Sequence, residues 1–332
     1  MARPVPLSRP RVVVTRKLLP ATEARLAELF DVRFNAEDRP LTRADLAEAM
    51  ASADVLVPTI TDRIDADLIA GAGPNLGLIA NFGNGTDHID LAAARARRII
   101  VTSTPGVLTD DTADMTMAMI VMVSRRFAEG MKMVRAGTWK GWSPSSLLGH
   151  RVGGKRLAIL GMGRIGQAVA HRARTFGLEV VYHNRHRLPP ALENMLGARF
   201  EPDPDRMIAE ADILSLHCPA TADTHHILSA GRIAAMKPEA VVVNTARGEL
   251  IDEEALIAAL RAGRLAGAAL DVFEHEPAVD PRLVELPNVL LIPHLGSATY
   301  ESRAATGERV IANIRFWADG HRPPDQVLEG LV

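Results

Sequence analysis

Three ionisable side chains fall just past the ends of successive apolar runs in the C-terminal third of the chain. Arg247 stands in N-T-A-R-G after Ala240–Asn244, Glu276 in L-D-V-F-E-H-E-P after Ala266–Val272, and His294 in P-H-L-G-S-A-T after Val289–Ile292. If those runs are strands of an open α/β sheet, these residues lie on the side where such sheets bind ligands. A guanidinium can clamp a carboxylate in two parallel hydrogen bonds. A histidine can carry the proton that must accompany a hydride, and a neighbouring carboxylate can hold a histidine ring and raise its pKa. Singly, each residue has an ordinary explanation: a surface ion pair for Arg247, a loop carboxylate before Pro277 for Glu276, a satisfied core residue after Pro293 for His294. Their shared place downstream of a glycine loop favours the chemical reading.

That loop is G-M-G-R-I-G, Gly161 to Gly166, directly after the apolar run Arg156–Leu160 and before a helical pattern. In this setting Gly161 permits the tight turn, Gly163 lets backbone approach a pyrophosphate, and Gly166 lets helix and strand pack closely. The N–H groups of the following helix then face the phosphates. About twenty residues on, where an acid would grip the adenosine ribose in an NAD site, the chain reads Tyr182-His-Asn-Arg-His-Arg187. No acid follows the strand, and Glu179 precedes it. Asn184, Arg185 and His186, with Arg187 close by, suit a 2′-phosphate instead. The expected cofactor is NADP(H), with NAD(H) as the other option if these are only surface basics.

The elements that must position these groups alternate. Val12–Val14, Asp54–Val57, Leu76–Ala80 and Ile99–Val101 are expected strands, with helices at Ala21–Phe30 and Asp65–Ala72. Glu179–Tyr182 and Ile213–His217 join the later runs. Alternation of this kind implies parallel βαβ units, so the fold class is α/β with two doubly wound parallel sheets. A helix over Asp111–Arg135 carries the methionine-rich run Met115–Val123, which is too short to cross a bilayer and reads as a helix buried between domains or subunits. The last helix, Thr299–Asp319, is expected to cross back onto the first half. The Rossmann dinucleotide domain, 105–294, is then inserted in a flavodoxin-like substrate domain, 1–104 with 295–332, with hinges near Ser103–Pro105 and Pro293–Ser297.

Composition narrows the class. With 38 basic and 40 acidic residues the net charge is −2, which offers no field for nucleic acid or an anionic membrane. The single cysteine, Cys218, fits a reducing compartment, and Met1–Arg11 lacks the apolar core of a secretory signal. A cytoplasmic protein is expected. Cys218 beside His217, with His225 and His226 nearby, suggests thiol or metal chemistry, but the lone cysteine and Pro219 closing a strand end favour a wall for adenosine, so no metal site is expected.

Taken together, G-N-G-T-D-H-I-D (Gly83–Asp90), T-P-G-V-L-T (Thr104–Thr109), G-M-G-R-I-G, H-C-P (His217–Pro219), N-T-A-R-G, L-D-V-F-E-H-E-P and P-H-L-G-S-A-T resemble the D-isomer-specific 2-hydroxyacid dehydrogenase family over nearly the whole chain. Around Asn81–Gly85 and Tyr182–Arg185 the likeness is to its glyoxylate and hydroxypyruvate reductases. The resemblance implies reduction of a small 2-keto acid to the D-2-hydroxy acid by NADPH. It implies that Arg247 binds the substrate carboxylate, that His294 is the acid/base held by Glu276, and that amides around Asn84 and Gly85 complete the carboxylate site. In the cofactor site it implies Arg164 and Ile165 at the pyrophosphate, Cys218 and Pro219 beside adenosine, Thr245 and Ala246 at the nicotinamide ribose, Asp271 at the carboxamide, and Thr112 in contact. A homodimer is implied too, which the long helix and the pair Trp139 and Trp142 fit. The chain departs from the pattern at Thr86, where many relatives carry tyrosine, and at Asn84, where a small apolar residue is frequent. Two other readings stay open: a dinucleotide-binding regulator resembling the C-terminal-binding corepressors, against which the short tails speak, and a dehydrogenase of another donor such as phosphite.

Overall fold

Consecutive aliphatic residues, rather than alternating ones, make strands covered on both faces. In the computed structural model, which describes residues 9–328, such runs build two parallel sheets. Residues 1–8, part of the stretch read above as no secretory signal, lie outside the described residues. The chain divides into two compact units: the segments up to Leu108 and from Thr299 form one, and Thr109–Ala298 the other.

The first unit runs β1 (Arg11–Val14), α1 (Pro20–Leu29), β2 (Asp31–Arg33), α2 (Arg43–Ser52), β3 (Val55–Val57), α3 (Ala66–Ala70), β4 (Leu78–Ala80), α4 (Leu91–Ala96) and β5 (Ile100–Thr102). Its five parallel strands lie in the order β2-β1-β3-β4-β5. Successive side chains of each strand leave opposite faces. Val13, Leu56 and Ile79 therefore pack with Leu46, Met50 and Ile69, while Val12, Val14, Val55 and Leu78 pack on the other face with Leu26.

The second unit begins with α5 (Thr109–Ser124) and α6 (Phe127–Arg135). There follow β6 (Arg156–Leu160), α7 (Arg164–Thr175), β7 (Glu179–His183), α8 (Pro190–Leu196), β8 (Ala198–Phe200), α9 (Pro204–Ala209), β9 (Ile213–Leu216), α10 (Ala230–Ala235), β10 (Val241–Asn244), α11 (Glu253–Arg261), β11 (Gly267–Leu270), α12 (Pro281–Glu285) and β12 (Val289–Leu291). The seven parallel strands are ordered β12-β11-β10-β9-β6-β7-β8. Chain order reverses between β6 and β9, the switch point at which doubly wound sheets open a crevice for ligand. The final helix α13 (Tyr300–Ala318) returns to the first unit, where Val310, Ile311 and Ile314 bury against Val12, Val14 and Leu26.

The single helix expected over Asp111–Arg135 is two. Arg126 adopts the left-handed region at φ +55°, and the Ser124 carbonyl accepts the His150 N–H at 2.8 Å. Part of the methionine run is covered within the second unit, where Met117, Met119 and Ile120 sit in the core with Leu157, Ile159 and Val169, while Met115 and Met122 are half-buried. No helix of the described residues is long and apolar enough to cross a membrane.

Candidate active site

The glycine loop leaves β6 at the switch point. Gly161 has φ +99°, and a Cβ there would lie 2.4 Å from the Cys218 nitrogen, so the loops after β6 and β9 pass in contact. A Cβ at Gly166 would strike the Gly161 carbonyl oxygen at 2.3 Å, whereas one at Gly163 would meet nothing within 4 Å. Gly163 is also the N-cap of α7 and brings no side chain to cap it. The result is a helix N-terminus opening on space that only a missing side chain keeps clear, which is what a pyrophosphate requires. A dinucleotide fits these residues, with Arg164 and Ile165 in the first turn of α7.

Around it, Cys218 is half-buried. Burial pushes its thiol up to about 11, so it stays protonated at neutral pH and is no nucleophile. Pro219 is exposed. Past β7, the Asn184 side-chain amide donates to the His186 carbonyl at 3.2 Å, and Arg185 and His186 are exposed. Arg187 is committed elsewhere. Its guanidinium pairs with Glu193 at 2.7 Å, and that buried carboxylate also accepts the Tyr182 hydroxyl at 2.6 Å. Of the basic stretch, Arg187 is thus engaged within its own unit, while Arg185 and His186 lie at the surface past β7.

Arg247 follows β10 in a turn held by Asn244, whose amide donates to the Arg247 carbonyl at 2.7 Å and whose oxygen accepts the Ala246 N–H at 3.0 Å. Thr245 is anchored by a hydroxyl contact with Thr116 of α5 at 2.8 Å. A Cβ at Gly248 would overlap the Phe273 carbonyl carbon at 1.9 Å, so this glycine lets the Arg247 turn close on the loop that carries Glu276. Asn244 and Thr116 escaped the sequence reading. Asn244 lies within N-T-A-R-G, so its turn-forming side chain was a usable signal; Thr116 gave none.

Glu276 and His294 meet across 18 residues of chain, with His294 Nδ1 2.9 Å from Glu276 Oε2. Oε1 accepts the Phe273 N–H at 3.0 Å. Burial pushes the Glu276 carboxyl up, but the hydrogen bond and charge of His294, the Phe273 N–H and the Arg247 guanidinium together hold it below the ordinary glutamate range. An ionised carboxylate only accepts, so Nδ1 carries a hydrogen and Nε2 is the nitrogen that can exchange a proton.

Asp271 directly follows β11. It is 1% exposed, its carbonyl accepts the His294 N–H at 2.8 Å, and its two carboxylate oxygens accept the N–H groups of Leu295 and Gly296 at 2.6 and 2.8 Å. His294 itself sits at φ +53°. Thr112 lies alongside, its methyl 3.5 Å from where a Gly296 Cβ would be. In the first unit, the Asn81 amide donates to the carbonyls of Gly83 and Gly85 at 3.1 and 2.8 Å. Trans peptides hold C=O and N–H antiparallel, so the amides of Asn84 and Thr86 point away from Asn81.

The profile of the D-isomer specific 2-hydroxyacid dehydrogenase NAD binding domain matches residues 117–296. A glyoxylate reductase of Thermococcus litoralis is 41% identical over 98% of this chain and 98% of its own. Among solved structures, a protein of Thermus thermophilus superposes with TM-score 0.88 at 44% identity, over 96% of this chain and all of its own. An NADPH-dependent glyoxylate/hydroxypyruvate reductase of Sinorhizobium meliloti, in complex with NADP and malonate, has TM-score 0.86 at 34% identity, over 97% and 98%.

Proposed function

The chain belongs to the NAD(P)-dependent D-isomer-specific 2-hydroxyacid dehydrogenases, and on that premise we propose that it reduces glyoxylate or hydroxypyruvate to the D-2-hydroxy acid with NADPH. The observation that carries the chemistry is the His294–Glu276 pair at 2.9 Å, on a carboxylate that also feels the charge of Arg247. The choice of substrate is supported by the named reductases among the relatives. The choice of NADPH is supported by Arg185 and His186 past β7, where an acid would otherwise bind ribose.

When bound, a reduced nicotinamide would supply the hydride that the keto carbon accepts. Arg247 binds the carboxylate of the keto acid and draws electron density toward its keto oxygen. His294 delivers a proton from Nε2 to that oxygen, and Glu276 holds the ring by Nδ1 and stabilises the charged imidazole. These groups act most strongly on charge that develops in the transition state, which is where binding accelerates a reaction. Arg164, Ile165 and the glycine loop would hold the pyrophosphate, Cys218 and Pro219 would flank adenosine, and Thr245 and Ala246 would line the nicotinamide ribose.

A homodimer is part of this reading. Phe127, Met131 and Val134 of α6, with Trp139, Trp142 and Leu148 after it, are all exposed, an apolar surface that a second copy would cover. Sedimentation at the mass of one chain would refute it.

Turnover of glyoxylate, hydroxypyruvate, pyruvate, phenylpyruvate and phosphite with each cofactor tests the whole proposal. The first two acids with NADPH should give the highest kcat/KM, and Arg185→Ala should lower kcat/KM for NADPH about tenfold or more while sparing NADH. Equal use of both cofactors by the parent enzyme defeats the NADPH assignment. Failure to reduce either acid defeats the substrate assignment.

A further inference from the structure

Two loops of the second unit, after β9 and after β11, bring together side chains that the proposed reaction does not use. Adjacent residues on regular backbone send their side chains in different directions. A φ of +48° at His226 instead leaves the rings of His225 and His226 stacked, with centroids 4.0 Å apart and 26° between planes. Glu274, far along the chain, completes the group. Its Oε1 lies 2.7 Å from His226 Nε2, and one ligand atom from each of the three residues falls within 4.8 Å of the others. His225 is exposed, while the side chains of His226 and Glu274 are 33% and 16% exposed, so the cluster has a buried floor and an open rim.

Behind the floor, negative charge is crowded. The Glu274 N–H donates to Glu253 Oε2 at 3.2 Å. Asp280 is paired with Arg282 at 2.7 Å, so Glu253 is the carboxylate set directly beside Glu274.

We propose that His225, His226 and Glu274 form a binding site for a divalent transition-metal ion of the zinc type. Two imidazoles and one carboxylate are a common zinc donor set, with bonds of about 2.0–2.2 Å, and imidazole favours such ions over magnesium or calcium. Rotation of the exposed His225 ring, and exchange of the His226–Glu274 hydrogen bond for two metal bonds, closes the group on one ion and leaves a position for water. The ion ties the loop after β9 to the loop that carries Glu276 two residues on. The site stands apart from the reading of the reaction and does not rest on it.

Zinc chloride titrated into the chelator-treated, full-length protein tests this, read by calorimetry and by thermal unfolding. Zinc should bind with one saturable equivalent and raise Tm, and magnesium should do neither. His225→Ala and Glu274→Gln should each weaken zinc binding about tenfold or more, as even outer-shell partners of a metal are worth that much. Because His294 and Glu276 are another imidazole–carboxylate pair, His294→Gln is titrated in parallel and should bind zinc as the parent does. His225 is exposed, so its replacement should leave folding and turnover intact. Absence of saturable binding, parent-like affinity in His225→Ala, or loss of binding only in His294→Gln would each overturn the proposal.

Discussion

His294 takes a left-handed backbone conformation, φ +53°, that side-chain-bearing residues adopt at some cost. Asp271 holds it there, by its carbonyl on the His294 N–H and by its carboxylate on the next two amides. We therefore expect Asp271 to act as a positioning residue for the imidazole, beside whatever it offers a cofactor. In Asp271→Asn one acceptor oxygen becomes a donor that faces another N–H, which costs about 1–3 kcal/mol. Displacing a reacting group by about an ångström can cost roughly a hundredfold in rate. The kcat of Asp271→Asn should fall by about ten- to a hundredfold, with the Kd for NADPH near the parent value. A weakened Kd with kcat preserved would assign Asp271 to the cofactor instead. Glu276→Gln isolates the other support, since a neutral amide can still receive Nδ1–H but no longer stabilises the charged ring; its loss should appear in kcat rather than in cofactor binding.

At the scale of the element, α7 and its loop separate two kinds of glycine. At Gly163 a methyl group meets no atom within 4 Å, and its φ of −76° suits any residue. Gly163→Ala should keep the parent Tm yet bind NADPH more weakly, because the methyl takes the space proposed for the pyrophosphate. At Gly166 the same methyl would lie 2.3 Å from the Gly161 oxygen, so Gly166→Ala should lose roughly 1–3 kcal/mol of stability in urea. Equal effects at both positions would contradict this division. The break between α5 and α6 belongs to the same scale. Apolar spacing continues through it, but the Ser124 carbonyl is taken by His150, and a contact between segments so far apart leaves no mark in local periodicity. The edge strand β2 was missed for a related reason: Asp31-Val-Arg33 is not buried on both sides and carries no aliphatic run. Helix α2, absent from the sequence expectations, nevertheless carries a local signal in the Thr42–Asp45 capping box.

Across the whole molecule, the first unit is discontinuous in sequence and the second is not. Val310, Ile311 and Ile314 of α13 are buried against the first sheet, at about 1.5–3 kcal/mol per side chain. Deleting the chain from Thr299 onward should unfold the first unit, while Thr109–Ala298 keeps its own two cores and binds dinucleotide; circular dichroism and NADPH titration read the two outcomes. Acid should act on the second unit through His217. Burial pushes its pKa down to about 4 from 6.5, so the unfolded chain takes up a proton as pH falls below about 6.5 and the folded chain does so only near 4. The stability that neutral His217 contributes is complete above 6.5 and is lost as pH falls through about 4. Urea midpoints should decline over that window, and His217→Gln should flatten the decline. An unchanged profile in the variant would show that other groups govern it.

What the sequence determined by itself is what short stretches of chain encode. The aliphatic runs that became β1, β3, β4, β6 and β9 to β12, the glycine loop, and the motifs that place the chain in its family are all local patterns, and a strand buried on both faces must be apolar wherever it ends up. Tertiary structure alone decided which polar groups meet. Glu276 finds His294, the Asp271 carboxylate braces the His294 turn, Arg187 is drawn off to Glu193, and Glu274 joins two histidines from 48 residues away along the chain. Hydrogen bonds and ion pairs act over a few ångströms between residues of any separation, so their partners appear only once the sheets have set loops side by side.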